Sequence, residues 1–223
     1  MLTQLKISWK SVRSSVGAPL VSALLLLFLL SCSPADEVDY GFGEYYVEIV
    51  TALENNAFLL DQGRTIYDSN KTARQSFAAG DRIYLYFSYG KTLSDPITVH
   101  GAAKVFSDVL KTMAKEAIAQ ETNDPIQFVS AWIGSYYLNM DFYFEYRSVA
   151  HKIDLVIDEK WMDDSEIHIY FRHNKNGDAP GYPISVYASF DLSKVLGEPQ
   201  GDRTLFVHFD TGNYGNKTCT FKY

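Results

Sequence analysis

Histidine, arginine, asparagine and aspartate gather most densely in the second half of the chain, and they are the first residues to weigh for chemistry. His168, Tyr170 and Arg172 alternate onto one face of a strand, while His173 falls on the other. His168 and His173 therefore point to opposite sides and do not share a metal ion. His100, His151 and His208 are scattered in sequence, and neither a His-Glu-x-x-His helix nor a Cys/His cluster occurs. Arg172-His173-Asn174-Lys175-Asn176-Gly177-Asp178 is the densest polar run. Asn174, Asn176 and Asp178 alternate like the opening of a calcium loop, but Ala179-Pro180 cuts the turn and no Glu closes it. Asn, Gly and Asp tolerate positive φ and bond their own backbone, so a hairpin connection with Asx turns is the expectation. Arg172 and His173 would then clamp loop carbonyls or an acid such as Asp191. No serine stands in a Gly-x-Ser-x-Gly elbow. Asp158, Glu159, Asp163, Asp164 and Glu166 surround one loop and read as solvated acids rather than as the paired carboxylates of glycoside hydrolysis. Tyr136, Tyr143, Tyr146, Tyr182 and Tyr187 offer ring faces to a glycan, although tyrosines at strand edges are more often partly buried. These residues assign no catalytic group, no metal and no cofactor, and they leave the ligand-binding residues unknown.

One residue does have a specific chemical fate. Cys32 follows the apolar run Leu24–Leu30 and the small residue Ser31, and Leu29-Leu30-Ser31-Cys32 fits a bacterial lipobox. Upstream, Lys6, Lys10 and Arg13 make a positive n-region, and Ala18 to Leu30 is an apolar h-region too short for a comfortable span. An ordinary secretory signal with an incidental cysteine is the alternative. Its small-x-small cleavage pattern is poor here, because Leu30 stands two before Cys32. Lipidation at Cys32 implies a diacylglyceryl thioether and a further acyl chain, such as palmitate, on the freed amine. Each buried methylene contributes about 0.8 kcal/mol, and two or more chains anchor stably. The expected location is the bacterial outer membrane, facing either the periplasm or the outside. Cys219 is then left without a partner and reads as a buried free thiol, a small hydrophobe in a strand.

The leader holds three of the 20 basic residues and none of the 27 acids, so the chain from Cys32 onward carries 17 against 27, a net charge near −10. Such a chain repels phosphate backbones, which argues against nucleic acid as a partner. Membrane through Cys32, and a protein or glycan at the envelope, are the partners expected. The sequence leaves the oligomeric state open.

The elements that must position these residues are strands. Sixteen Tyr and 14 Phe favour an all-β chain. Residues 1–31 form the leader and 32–43 a flexible tether. Residues 44–121 alternate in short runs: about 44–53, Ala57–Leu60, Thr65–Tyr67, Arg82–Tyr89 and Ile97–Val105. That pattern suits a small OB-like Greek-key barrel. Asp108 to Gln120 is rich in helix formers and reads as either a short helix or one further, frayed strand near Val105–Met113. Glu121-Thr-Asn-Asp-Pro125 marks the expected boundary. Residues 122–223 then carry about seven alternating runs, the pattern of an antiparallel β-sandwich.

Asp124-Pro125-Ile126, Trp132-Ile133-Gly134, Tyr137-Leu138-Asn139, His151-x-Ile153-x-Leu155-Val156, Arg172-His173-Asn174 with Asp178, and Ser189-Phe190-Asp191-Leu192 resemble the NigD-like proteins, lipoproteins of Bacteroides and Prevotella relatives. Asp61-x-Gly63 and Gly80-Asp81-Arg82-Ile83 extend the resemblance into the first half. It implies an OB-like domain followed by a β-sandwich, and it supplies no catalytic residues. The family name comes from a bacteriocin operon, so a non-enzymatic immunity role at the envelope is the leading expectation. A surface glycan- or peptide-binding module is the first alternative and an uncharacterised hydrolase the second.

Overall fold

The structure, a computed structural model, describes residues 44–69, 71, 77–161 and 164–223. The leader, Cys32 and the tether lie outside the described residues, as does Asp163. Residues 43–223 make one compact unit of two sheet systems.

The first system is a five-stranded antiparallel sheet. It contains β1 (Tyr45–Ala52), β2 (Ala57–Leu60), β3 (Thr65–Tyr67), β4 (Arg82–Ser88) and β5 (Thr98–Lys104), in the order β3-β2-β1-β4-β5. Period-two alternation puts Val50, Ile83, Leu85 and Phe87 on the inner face, and each is wholly buried. The Ile97 N–H donates to the Tyr67 carbonyl at 2.9 Å, which links the two edge strands, so the sheet nearly closes on itself.

The segment that reads as helix or strand is both. β6 (Phe106–Met113) carries the branched and apolar residues, and α1 (Lys115–Gln120) carries the helix formers Lys, Glu, Ala and Gln. Ala114, with φ −65° and ψ 145°, separates them. β6 does not extend the first sheet. The changeover between the two systems comes at Val105, ahead of the Glu121–Pro125 boundary expected from sequence.

The second system has the order β13-β12-β10-β9-β6-β11-β8-β7. Its strands are β7 (Gln127–Gly134), β8 (Tyr137–Tyr146), β9 (Lys152–Asp158), β10 (Glu166–Asn174), β11 (Tyr182–Asp191), β12 (Thr204–Asp210) and β13 (Asn216–Lys222). The strand β6 joins two layers. Its first half pairs with β11, ending at Val109 opposite Asp191, and its second half pairs with β9, starting at Leu110 opposite Leu155. The layers face each other across rings. Phe142 of β8 meets Phe171 of β10 edge-on at 5.2 Å, and Phe128 of β7 lies 4.8 Å from Phe209 of β12. Antiparallel pairing dominates, but β6 runs parallel to both neighbours and β10 runs parallel to β12. Each parallel pair joins strands far apart in sequence, as parallel pairing requires.

A buried polar junction connects the two systems. The Arg82 side chain, 2% exposed, leaves β4 and ends against β8 and β11. One guanidinium nitrogen donates to Asp61 Oδ1 (2.7 Å) and Thr51 Oγ1 (2.9 Å), and the other to Asp61 Oδ2 (2.9 Å) and Asn139 Oδ1 (3.1 Å). The Nε donates to Ser189 Oγ at 2.9 Å. All five N–H donors of the fork thus have acceptors. Asn139 Nδ2 donates to Asp61 Oδ2, Ser189 donates to Asn139 Oδ1, and the guanidinium lies 3.8 Å from the centre of the Tyr137 ring. A Cβ on Gly134 would stand 2.1 Å from Asp61 Oδ2, so only glycine fits there.

Candidate functional site

β8 outruns β7, and where β7 stops the sandwich is open along one side. The opening is a groove of about 650 Å³. Asp124, Pro125, Ile126 and Gln127 form one wall, Tyr143, Phe144 and Glu145 another, and Thr211, Gly212 and Asn213 close one end. His151 and His173 lie at its floor with the Phe144 ring stacked on both, at 4.4 and 4.8 Å.

The two imidazoles are joined. His151 Nδ1 lies 2.8 Å from His173 Nε2. His151 Nε2 faces Asp178 Oδ2 at 3.3 Å, and both side chains are 2% exposed. His173 Nδ1 donates to the Asp124 carbonyl at 3.1 Å. Each of these three contacts needs one proton, because a carbonyl and a carboxylate only accept. Two neutral rings carry two protons, one fewer than the three contacts take up together. A fourth proton would set two N–H groups face to face. Burial pushes His173 below the ordinary imidazole range, and the neighbouring His151 adds to this against the opposing Asp124 carbonyl.

Asp178 is held as a carboxylate. Burial alone would raise its pKa. The N–H groups of Arg147, Ser148 and Val149, and then His151, outweigh that and bring it to about 2. The turn that delivers Asp178 has the expected chemistry. Asn176 and Gly177 take φ of 55° and 75°, and Asn174 Oδ1 accepts the Asn176 N–H at 2.7 Å. The calcium-loop pattern is thus an Asx turn whose last acid faces backbone amides. An Asp–His couple also occurs in hydrolases, but here the nitrogen that would activate a nucleophile faces His173 instead.

The other tempting residues separate. His168 and His208 form a second pair at 2.9 Å, stacked within 4° of parallel, with His208 Nδ1 against Thr218 Oγ1 at 3.0 Å. Arg172 donates to the carbonyls of Phe171 and Ile118, and its Nε is buried without a partner. His173 thus holds a loop carbonyl as expected, whereas Asp191 instead caps Ser193 at 2.8 Å. The tyrosines do not form one platform. Tyr187 packs on Tyr84 at 4.6 Å, Tyr136 on Tyr137 at 4.5 Å, and Tyr182, 84% exposed, stands opposite Tyr146 across the β8–β11 pair. Asp158 is buried and accepts the Lys160 N–H at 3.1 Å. Cys219 is half-buried on β13, and burial raises its pKa, as befits a packed thiol. Among the described residues no three His, Cys, Asp or Glu side chains converge with metal-binding spacing.

Sequence reasoning missed both histidine pairs and the Arg82 junction. In each case the partners stand on different strands, and local spacing carries no trace of them. The only signal was indirect: Asp61, Arg82, Tyr137, Asn139 and Ser189, with Asp124, His151, His173 and Asp178, are among the residues that carried the family resemblance.

The NigD-like C-terminal β-sandwich domain matches residues 109–223, more than half of the chain. The chain belongs to the NigD-like family. No curated protein sequence matches it. Among solved structures, a protein of unknown function from Bacteroides vulgatus is similar at 20% identity and a TM-score of 0.67, over 81% of this chain and 91% of that one. A NigD-like immunity protein from Bacteroides caccae is 19% identical, with a TM-score of 0.56, over 82% and 93%. A protein provisionally named a lipoprotein, from Bacteroides fragilis, is 16% identical, with a TM-score of 0.59, over 81% and 96%. At these identities the likeness is one of fold, and it spans both sheet systems of this NigD-like chain.

Proposed function

We propose that the protein is a non-enzymatic lipoprotein of the outer membrane, anchored through Cys32, that protects its cell by binding a partner, as an immunity protein does. The observation that carries the reading is the state of the histidine floor. Its polar atoms are engaged with one another, with a carboxylate and with a carbonyl, beneath a groove that is open and mixed in polarity. That arrangement presents a surface to a ligand and offers no free base beside a nucleophile. The name of the Bacteroides caccae relative supports the immunity role, and that of the Bacteroides fragilis relative supports the anchor.

The test is expression of this chain alone in a strain sensitive to a bacteriocin from a related bacterium. Survival supports the role, and killing at the rate of the empty strain removes it. Fatty-acid labelling with Cys32→Ala as control tests the anchor. Label retained on the Cys32→Ala chain would show that the lipobox is not used. A surface glycan-binding role has weaker support, since the candidate tyrosines are divided: Tyr146 and Tyr182 stand opposite one another, Tyr143 and Tyr187 lie on the other face of the β8–β11 pair, and Tyr136 packs on Tyr137.

A further inference from the structure

β7 pairs with β8 only from Gln127, opposite Tyr143, to Gly134, opposite Tyr137. β8 runs on to Tyr146, and on its other side β11 follows it throughout, with Tyr182 opposite Tyr146. The chain ahead of Gln127 does not return to this edge. The Ile126 N–H donates to Asp210 on β12, and the Asp124 N–H to His173 on β10. One flank of β8 is therefore left bare beside the groove.

Pro183 fixes which backbone groups are bare. It stands opposite Glu145 and has no N–H, so these two residues cannot exchange hydrogen bonds. The ladder bonds run through Phe144–Ile184 and Tyr146–Tyr182 instead. Antiparallel geometry then turns the N–H and C=O of Glu145 away from β11 and towards the bare flank. Among the described residues no strand pairs with Glu145 on that flank. Two residues back, Tyr143 meets Gln127 along the same line, and two residues on, the Arg147 N–H meets Asp178 at 2.7 Å. The opening between these two closed points spans four residues of β8, about 13 Å at the usual rise.

We infer that this opening takes an extended peptide segment of a partner protein, which adds to β8 as the missing continuation of β7. Residues directly opposite on paired strands share a face. The residue facing Glu145 then sets its side chain beside that exposed carboxylate, which has no ion pair among the described residues. Asp141 lies on the same face by alternation along β8, and Lys175, which lines the groove, is held by Asp124 at 3.8 Å. A basic residue of the partner fits that position, beside a protein whose net charge is −7 overall and near −10 from Cys32 onward. Its two neighbours point inward, to Ile126 and Phe144, and are apolar. The class of ligand is thus an apolar–basic–apolar strand, recognised through main-chain bonds and alternate side chains.

This deepens the partner-binding reading and rests on it, yet the two fail separately. The probe is the blocked pentapeptide acetyl-Ala-Val-Lys-Val-Ala-amide, at millimolar concentration, with the full-length chain in detergent. Hydrogen–deuterium exchange at the Glu145 amide is the readout. The expected result is slowing of about tenfold or more, with no slowing by a peptide N-methylated at its lysine. Glu145→Lys should remove the response, and a Val-Glu-Val peptide should restore it. Unchanged exchange, or equal slowing by the N-methylated peptide, overturns the inference. So does an amide already protected in a concentration-dependent way, which would place a second copy of the chain on the edge. Protection without immunity removes the role and keeps the site, and immunity without protection removes the site.

Discussion

The two buried polar clusters of this protein use similar materials and are built on opposite plans. At the junction of the sheet systems, Arg82 meets Asp61, Asn139, Ser189 and Thr51, and every donor of its fork is engaged. That cluster contains no imidazole, and its planar fork meets the Asp61 carboxylate with two parallel bonds. Under the groove, His151, His173 and Asp178 also satisfy one another, but two of the three are imidazoles and the site borders an open strand edge. The first cluster closes a seam and holds two sheets in one arrangement. The second lies where the sandwich is left unsealed, and its proton count depends on the solution. Polarity alone does not mark a functional site; a neighbouring opening does.

The largest expected effect breaks the sealed cluster. Arg82→Ala leaves the Asp61 carboxylate facing a dry junction, and loss of one member of a buried pair costs about 3–5 kcal/mol. Urea denaturation should show this as a lower midpoint with a similar slope. Replacing both partners, with Arg82→Met and Asp61→Leu together, should cost less than Arg82→Met alone, since no charge is then left unpaired. Gly134→Ala should destabilise through the same carboxylate, because the new methyl group would clash with Asp61 Oδ2.

The second cluster should yield smaller effects that depend on pH. Asp178 has its pKa lowered from 3.8 to about 2, so its contribution is complete above pH 4 and is lost as pH falls towards 2. Asp178→Asn should lower the midpoint at neutral pH and flatten that acid limb. His173 has its pKa lowered from 6.5, so the unfolded chain takes up a proton there before the folded chain does. Stability should therefore begin to fall as pH drops below about 6.5, and His173→Gln should flatten this upper limb. Denaturation series from pH 8 to pH 2 separate the two limbs. A profile unaffected by both substitutions would remove the contrast with the Arg82 cluster.

The strands themselves were legible. Ile83, Leu85 and Phe87 alternate against Arg82, Tyr84 and Tyr86, and the first set is wholly buried. The turn at Asn174–Asp178 was legible too, because Asn and Gly declare their conformation locally. β6 was not. Its exchange of partners at Val109 and Leu110 depends on strands more than 40 residues downstream, and parallel pairing leaves no local mark. The same holds for His151 with His173, 22 residues apart, and for His168 with His208, 40 apart. Alternation placed His168 and His173 on opposite faces, but it could not pair either one across strands.

The smallest expected effect sharpens the comparison from the other side. Glu145 lines the groove but is exposed, and it has no ion pair among the described residues. Glu145→Gln should change stability by no more than about 0.5 kcal/mol, as surface substitutions usually do. The floor and the wall of the groove would then separate experimentally, with His173 and Asp178 serving the fold and Glu145 dispensable for it. A loss above about 1 kcal/mol, outside that usual surface range, would mean that Glu145 takes part in closing the sandwich. The β8 edge would then be no more open than the seam at Arg82.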